Sequence, residues 1–368
     1  MKKRYKIHLV AGARPNFMKI GPLYHVLKAR TWAIPLIVHT GQHYDPQMSA
    51  DFFSDLALPA PAYHLGVGSG SHAEQTARIM LAYEEICLKD TPDLVVVVGD
   101  VNSTMACALV SVKLQIPTAH LEAGLRSFDL TMPEEINRMV TDIICDILWT
   151  PSEDADQNLR RAGIEEAKIV RVGNIMIDAL EMQRPQIEKR KYHERLHLSY
   201  GHYGVATIHR PNNVDMPQAL ENIIDALGQV SKHWPLVFPL HPRTRQRLAE
   251  FKLQSLADSY PGLRLIPPIP YLEFMSLILG AKLVITDSGG IQEETTYLGI
   301  PCFTLRPNTE RPITISQGTN HLSTSARLWH DIEEALANKT KHHARPELWD
   351  GHTAERVASS IETFLQSR

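Results

Sequence analysis

Short apolar runs alternate with longer amphipathic stretches along the whole chain. Tyr5–Val10, Pro35–His39, Asp93–Val98 (DLVVVV), Ile116–Leu121 and Ile147–Thr150 read as strands in the first half. Gly204–Ile208, Leu236–Leu240, Leu263–Ile266, Leu283–Thr286 and Pro301–Leu305 read as strands in the second. These runs lack polar alternation, as expected of strands covered on both faces. Between them the spacing predicts helices up to Lys28, around Gln47–Leu56, and over His72–Lys89, Asn102–Leu114 and Glu134–Cys145. A helix capped by Ser152 should run to Arg161, and two more cover Asp331–Ala337 and Thr353–Gln366. His342–Gly351 reads as a polar break. Strand and helix in alternation predict an α/β fold with parallel, doubly wound sheets.

Charges crowd together over Glu181–Tyr200 (EMQRPQIEKRKYHERLHLSY), which predicts a domain boundary near Leu180 followed by a solvated helix or connector. A chain of 368 residues is long enough for two such domains. Two doubly wound domains imply an interdomain cleft, with ligands beyond the carboxyl ends of the strands.

Composition narrows the function. The 38 basic and 41 acidic residues leave a net charge of −3, so no global field favours nucleic acid or an anionic membrane. The basic residues of 181–200 are interleaved with glutamates, which argues against a nucleic-acid role. The apolar run near Met1 is too short for a signal peptide, and no run approaches the ~20 residues of a membrane span. Cys87, Cys107, Cys145 and Cys302 are far apart, show no metal spacing, and read as reduced core thiols of a cytoplasmic protein.

Chemistry-bearing residues follow the strands. The first strand leads to Gly12-Ala13-Arg14, with Lys19 in the helix beyond. DLVVVV leads to Gly99-Asp100, Ile116–Leu121 to Glu122, and a later loop to Glu134, Glu135 and Arg138. In the second half, strand ends lead to His209-Arg210, to His241-Pro242-Arg243 and to Asp287-Ser288. Parallel strands place all such ends on one edge, so carboxylates, histidines and cations converge. Taken singly, Asp100 is also what a helix cap looks like, Glu134 and Glu135 suit a helix dipole, and the histidines suit hydrogen-bonded loops. Together they suit proton transfer beside a bound anion.

Thr286–Thr295 (TDSGGIQEET) is an anion site in outline. A strand ends, Gly289 and Gly290 let a phosphate approach the backbone, Ser288 is placed to cap, and a helix start offers unpaired N–H groups. Competing motifs fit less well. Gly12-Ala13-Arg14-Pro15 lacks the three glycines of a dinucleotide fingerprint, and DSGG is not a nucleophile elbow. Asp154-Ala155-Asp156 falls in a first helical turn, and His342-His343 in a polar tail, so no metal and no cofactor is expected.

In order along the chain stand GARPNFMK (Gly12–Lys19), TGQHYD (Thr40–Asp45), GDVNST (Gly99–Thr104), HLEAGLRS (His120–Ser127), MPEEINR (Met132–Arg138), IHRPNNVD (Ile208–Asp215), LHPRTR (Leu240–Arg245), DSGGIQEE (Asp287–Glu294) and TERPIT (Thr309–Thr314). This series resembles the non-hydrolysing UDP-N-acetylglucosamine 2-epimerases from about Val10 to Asn320. The resemblance implies a GT-B fold of two Rossmann-like domains. Residues 1–180, completed by the C-terminal helix 353–368, form the first, and residues 181–352 form the UDP-binding second. It implies reversible interconversion of UDP-N-acetylglucosamine and UDP-N-acetylmannosamine, through 2-acetamidoglucal and UDP, in a homodimer serving cell-surface polysaccharide biosynthesis.

By motif, Asp100, Glu122, Glu134 and His209 would be catalytic. Arg14, Lys19, Arg138, His241 and Arg311 would hold the nucleotide sugar. Ser288, Gly289 and Gly290 would cradle phosphate, and Glu294 would accept from the ribose hydroxyls. Asn16 and Asn212 depart from the TRPE and HRRE of many members, regions that help form an activating second UDP-sugar site in some bacterial ones. The TGQHYD and LRSFDL forms are also similar to relatives acting on UDP-2,3-diacetamido sugar acids. A hydrolysing 2-epimerase, a GT-B glycosyltransferase and a sugar-nucleotide sensor are the other readings.

Overall fold

The computed structural model describes residues 3–41, 53, 56–337 and 345–368. The stretch after Gly41 with the expected helix at Gln47–Leu56, and the His342-His343 pair, therefore lie outside the described residues, apart from Phe53 and Leu56. Two compact units divide the chain: Met1–Met182 with Glu347–Arg368, and Gln183–Pro346. Leu180 falls inside a helix, Ile175–Arg190, that carries Pro185 within it.

Unit 1 is built on seven parallel strands in the order β3-β2-β1-β4-β5-β6-β7. They are β1 (Tyr5–Ala11), β2 (Ala33–His39), β3 (Tyr63–His64), β4 (Leu94–Val98), β5 (Thr118–Leu121), β6 (Ile147–Thr150) and β7 (Ile169–Arg171). All five residues of β4 are buried, because helices cover both faces of a parallel sheet. The helix His72–Lys89 starts with a capping box, Ser71 and Glu74 satisfying each other's backbone N–H. Ser152 occupies the N-cap of Glu153–Arg161, but no side-chain capping bond forms there, contrary to expectation. The chain returns at its end: Trp349 Nε1 donates to Pro151 O at 2.9 Å, Ala354 N to Asp178 Oδ1 at 2.7 Å, and Trp149 Nε1 to Ser360 Oγ at 2.9 Å. These bonds seat the helix Thr353–Gln366 beside the helix Arg14–Lys28.

Unit 2 repeats the winding with six parallel strands in the order β10-β9-β8-β11-β12-β13. They are β8 (Gly204–Thr207), β9 (Leu236–Pro239), β10 (Leu263–Ile266), β11 (Leu283–Thr286), β12 (Cys302–Leu305) and β13 (Asn320–Ser323). Leu227, Phe238, Ile285 and Phe303 are fully buried at the centre of its core. In both sheets the order reverses beside the first strand, between β1 and β4 and between β8 and β11. Such a reversal leaves a crevice at the carboxyl ends.

Three strands escape the periodicity. β3 and β7 are short edge pieces, and β13 is polar because the Asn320 side chain is buried among Thr304, Gln292 and Thr314 at 2.6–3.1 Å. All four cysteines are buried and unpaired. No described helix is long and apolar enough to cross a membrane.

Docking of the C-terminal segment can be tested at Gly173. Its φ is +94°, and a Cβ there would lie 2.2 Å from Leu348 O, whereas at Gly163 (φ +80°) nothing lies within 4 Å. Gly173→Ala should cost about 2–3 kcal/mol in denaturant unfolding and Gly163→Ala about 1 kcal/mol. Equal costs would contradict this packing.

Candidate active site

In unit 1 the turns after β1, β4 and β5 converge. Asn16 accepts from Gly12 N at 3.3 Å and Ala13 N at 2.9 Å, and its Nδ2 donates to Val98 O at 3.0 Å. One buried amide thus bridges the two strands that flank the reversal. Gly12 has no room for a side chain, since a Cβ would sit 2.1 Å from Ser103 Oγ. Lys19 points from the first helix into this space, with Nζ 2.5 Å from Glu122 Oε2. Both side chains are more than nine-tenths buried. Glu122 also holds φ at +74°, a left-handed conformation rare for glutamate that persists only when its surroundings impose it.

Asp100 is the second carboxylate. It does not cap the following helix, whose N-cap is Val101; its Oδ2 lies 2.5 Å from Arg138 Nη1. Arg138 turns its Nε and Nη2 to Glu135 Oε2, at 3.2 and 2.8 Å. Glu135 also accepts from Ser127 N and Oγ, both at 2.9 Å, and from Phe128 N at 3.1 Å. Burial pushes the Glu135 carboxyl upward, but these donors outweigh it and hold the group below its usual range. Glu134, half-buried, lines a cavity of about 300 Å³ with His72, Gln75, Asn102 and Asn137. The paired glutamates of MPEEINR look alike in sequence, and their split between cavity and Arg138 could not be read there. The Arg14 side chain lies outside what the structure describes.

In unit 2 the organiser is Asp287, fully buried at the end of β11. It accepts from His209 N at 3.0 Å, Arg210 N at 2.8 Å and Asn213 Nδ2 at 3.0 Å, and His209 Nδ1 lies 3.1 Å from its Oδ1. Burial raises the Asp287 carboxyl, yet the contacts with His209, Arg210 N and Asn213 prevail and hold it low. The half-exposed His209 ring sits 5.3 Å, centroid to centroid, from His241. Burial, then the His209 and Arg243 charges, push His241 down.

The helix Gly289–Leu298 begins beside this pair. Ser288 is at its N-cap but makes no side-chain capping bond; Thr286 Oγ1 takes the Ser288 N–H at 3.0 Å, and Gln292 Nε2 donates to Ser288 O at 3.2 Å. A Cβ on Gly289 would meet Arg311 Nη1 at 2.7 Å, whereas Gly290 faces open space. Arg311 is shared between Glu293 and Glu310, both at 2.9 Å, and Glu310 also meets Arg306 at 2.8 Å and Arg210 at 3.6 Å. Three guanidiniums, Arg210, Arg306 and Arg311, thus gather beside the helix start, whose free N–H groups suit an anion. Burial opposes the charge of Glu310, but Arg311 and Arg306 hold its carboxyl far below the usual range. Glu294, buried, accepts from Tyr271 OH at 2.7 Å. Glu135 and Glu310, which stand in MPEEINR and TERPIT without an assigned role, belong to these clusters, as do Arg306 and Tyr271, which nothing in their spacing marks. Among the described residues no three His, Cys, Asp or Glu side chains are grouped to hold a metal ion.

Two doubly wound parallel sheets with polar groups at their strand ends are the architecture of a GT-B protein. A crystal structure of the Methanocaldococcus jannaschii UDP-GlcNAc 2-epimerase in complex with UDP-GlcNAc and UDP matches with a TM-score of 0.87 at 41% identity, over 98% of this chain and 99% of that one. The chain belongs to the UDP-N-acetylglucosamine 2-epimerase family, whose model matches residues 25–362. A UDP-N-acetylglucosamine 2-epimerase homolog of Methanococcus maripaludis is 45% identical over 356 residues, 96% of this chain and 97% of the relative. The UDP-2,3-diacetamido-2,3-dideoxy-D-glucuronate 2-epimerase of Pseudomonas aeruginosa is 40% identical over 325 residues, 88% of this chain and 89% of the relative.

Asp287 gives this arrangement a pH signature. Its lowered native pKa makes its stabilisation complete above the unfolded value of about 3.9, and that stabilisation is lost as pH falls through the native value. Asp287→Asn should be less stable than the parent by about 2–3 kcal/mol near neutral pH. The difference should narrow as unfolding is followed down to about pH 3, since protonation removes the parent's advantage. A gap that stays constant with pH would contradict the ionised anchor.

Proposed function

We propose that the chain is a non-hydrolysing 2-epimerase that interconverts UDP-N-acetylglucosamine and UDP-N-acetylmannosamine. The reading rests chiefly on two strand-end carboxylates in unit 1, each in contact with a buried cation: Glu122 with Lys19, and Asp100 with Arg138, which Glu135 shares. The proton at carbon 2 is not acidified by a carbonyl, so its removal needs help from a departing group. As a base takes the proton, the C2–H electron pair becomes the C1=C2 bond, and the C1–O pair leaves with UDP. This produces 2-acetamidoglucal. The β-phosphate oxygen then attacks carbon 1 while carbon 2 receives a proton on its opposite face.

Two faces require two proton carriers, and Asp100, Glu122 and Glu134 are the candidates. His209 belongs near the leaving diphosphate, whose growing charge the guanidinium of Arg311 and the helix start at Ser288, Gly289 and Gly290 stabilise. Glu294 takes the ribose hydroxyls, and Arg14, Lys19, Arg138 and His241 orient the nucleotide sugar. A glycosyltransferase would need only one such base. The enzyme acts in the cytoplasm, where buried thiols stay reduced.

NMR of the products from a panel of UDP-sugars tests this reading. UDP-N-acetylmannosamine should accumulate from UDP-N-acetylglucosamine, and Asp100→Asn and Glu122→Gln should each lower kcat by about 10²–10⁴-fold while UDP still binds. Free N-acetylmannosamine as main product would mean hydrolysis. Turnover of a UDP-2,3-diacetamido sugar acid alone would move the substrate to that of the Pseudomonas relative.

The working form we propose is a homodimer. Helix Pro133–Ile144 is inverted: Glu135, Asn137, Arg138, Thr141 and Asp142 are buried, while Ile136, Met139 and Ile143 are exposed. Met105, Leu109 and Val112 face outward, half-buried, on the neighbouring helix Asn102–Lys113. An apolar face of this extent needs a cover. Light scattering should report a dimer, and Ile136→Lys with Ile143→Lys should yield a folded monomer. A parent that is monomeric at micromolar concentration would contradict the assignment.

A further inference from the structure

Behind the two carboxylates of unit 1 lies a buried charged relay that the reaction scheme leaves unused. His120 on β5 is fully buried, with Nε2 2.8 Å from Gly99 O and Nδ1 2.7 Å from Asp142 Oδ1. Asp142 Oδ2 in turn lies 2.6 Å from Arg126 Nη1 and accepts from Gly124 N at 3.2 Å. Gly99 immediately precedes Asp100, and Gly124 follows Glu122 by two residues. A single chain of contacts therefore joins the backbone of one carboxylate-bearing turn to the backbone of the other.

The proton inventory is constrained. A backbone carbonyl has no proton to give, so Nε2 donates to Gly99 O. Asp142 Oδ2 faces two donors, Arg126 Nη1 and Gly124 N, and burial, which pushes its carboxyl upward, is outweighed by the His120 and Arg126 contacts that hold it low. Nδ1 lies against the other Asp142 oxygen, Oδ1. Packing alone would not call for this. His120 sits between buried Ala119 and Leu121, where an apolar side chain would fill the space without the cost of taking the Asp142 and Arg126 charges out of water. The turns it joins are also unusual. Gly99, Glu122 and Gly124 all have positive φ (+68°, +74° and +81°), and a Cβ on Gly124 would lie 2.4 Å from Ala155 O. Backbones held in such conformations need their surroundings to over-determine them.

We propose that His120, Asp142 and Arg126 are positioning residues that set the separation and orientation of Asp100 and Glu122, so that the proton leaving carbon 2 and the proton returning to it meet carboxylates in one fixed geometry. The proposal rests on the reading that these carboxylates transfer protons. His120 touches no reacting atom; it acts through the Gly99 carbonyl and, by way of Asp142, through the Gly124 amide. Arg126 supplies the cation beside Asp142.

Two measurements test this in the full-length protein. ¹⁵N–¹H spectra of the parent, assigned with His120→Gln, should show a slowly exchanging proton on Nε2 of His120, a readout independent of turnover. In kinetics, His120→Gln keeps a donor for Gly99 O but none for Asp142, and should lower kcat by about 10–100-fold with KM within about threefold, because small misplacements act on the chemical step. Arg126→Lys should retain most activity and Arg126→Met should resemble His120→Gln, which separates charge from folding if the histidine variant unfolds. A His120 Nε2 that carries no proton, or a folded His120→Gln or Arg126→Met with parental kcat, would overturn the relay. A parent that turns over no UDP-sugar would instead sink the functional reading, and the ring spectrum would still judge the relay.

Discussion

The ion pair between Lys19 and Glu122 constrains the rest of unit 1. Two charges more than nine-tenths buried and 2.5 Å apart are costly to desolvate, and their net contribution to stability is small or unfavourable. The glutamate adds backbone strain at φ +74°. Such a pair survives only where the surrounding fold is already rigid, and the reversal between β1 and β4 supplies that rigidity. Asn16 ties the two strands together, Gly12 and Gly99 give up their side chains to make room, and the first helix delivers Lys19 from behind. An acid held this way costs stability and is prepared for chemistry, as proton carriers generally are.

The two units solve the same problem with different chemistry. Each winds a parallel sheet outward from its first strand and places a fully buried aspartate behind the working groups. In unit 1, Asp142 collects a histidine, an arginine and a backbone amide; in unit 2, Asp287 collects a histidine, two backbone amides and an asparagine. What stands in front differs. Unit 1 presents carboxylates paired with buried cations, suited to moving protons. Unit 2 presents three guanidiniums beside a helix start, suited to holding an anion. The division follows the charges, and the same sheet geometry serves both.

Much of this was legible in the sequence because strand ends carry the chemistry. DLVVVV before Gly99-Asp100 and AKLVIT before Asp287-Ser288 announce both the strand and the group it delivers. Legibility failed where identity depends on direction. Glu134 and Glu135 are adjacent and alike, yet one lines a cavity and the other is buried on Arg138, a distinction made by helix rotation. Ser288 and Ser152 stand where caps are expected, and neither side chain caps. β13 was missed because its Asn320 is buried by partners distant in sequence, which no local periodicity encodes. Arg306 became visible only once the chain had brought it beside Glu310.

In the proposed reaction, carboxylates of unit 1 remove and return the proton at carbon 2 while the bond to UDP breaks and re-forms. The most direct measurement is incubation with UDP-N-acetylglucosamine in deuterium oxide, with NMR of both the recovered substrate and the product. Deuterium at carbon 2 of both sugars, dependent on Asp100 and Glu122, is the predicted result. Product that retains the original hydrogen at carbon 2, or recovered substrate that stays unlabelled while the reaction is at equilibrium, would contradict it.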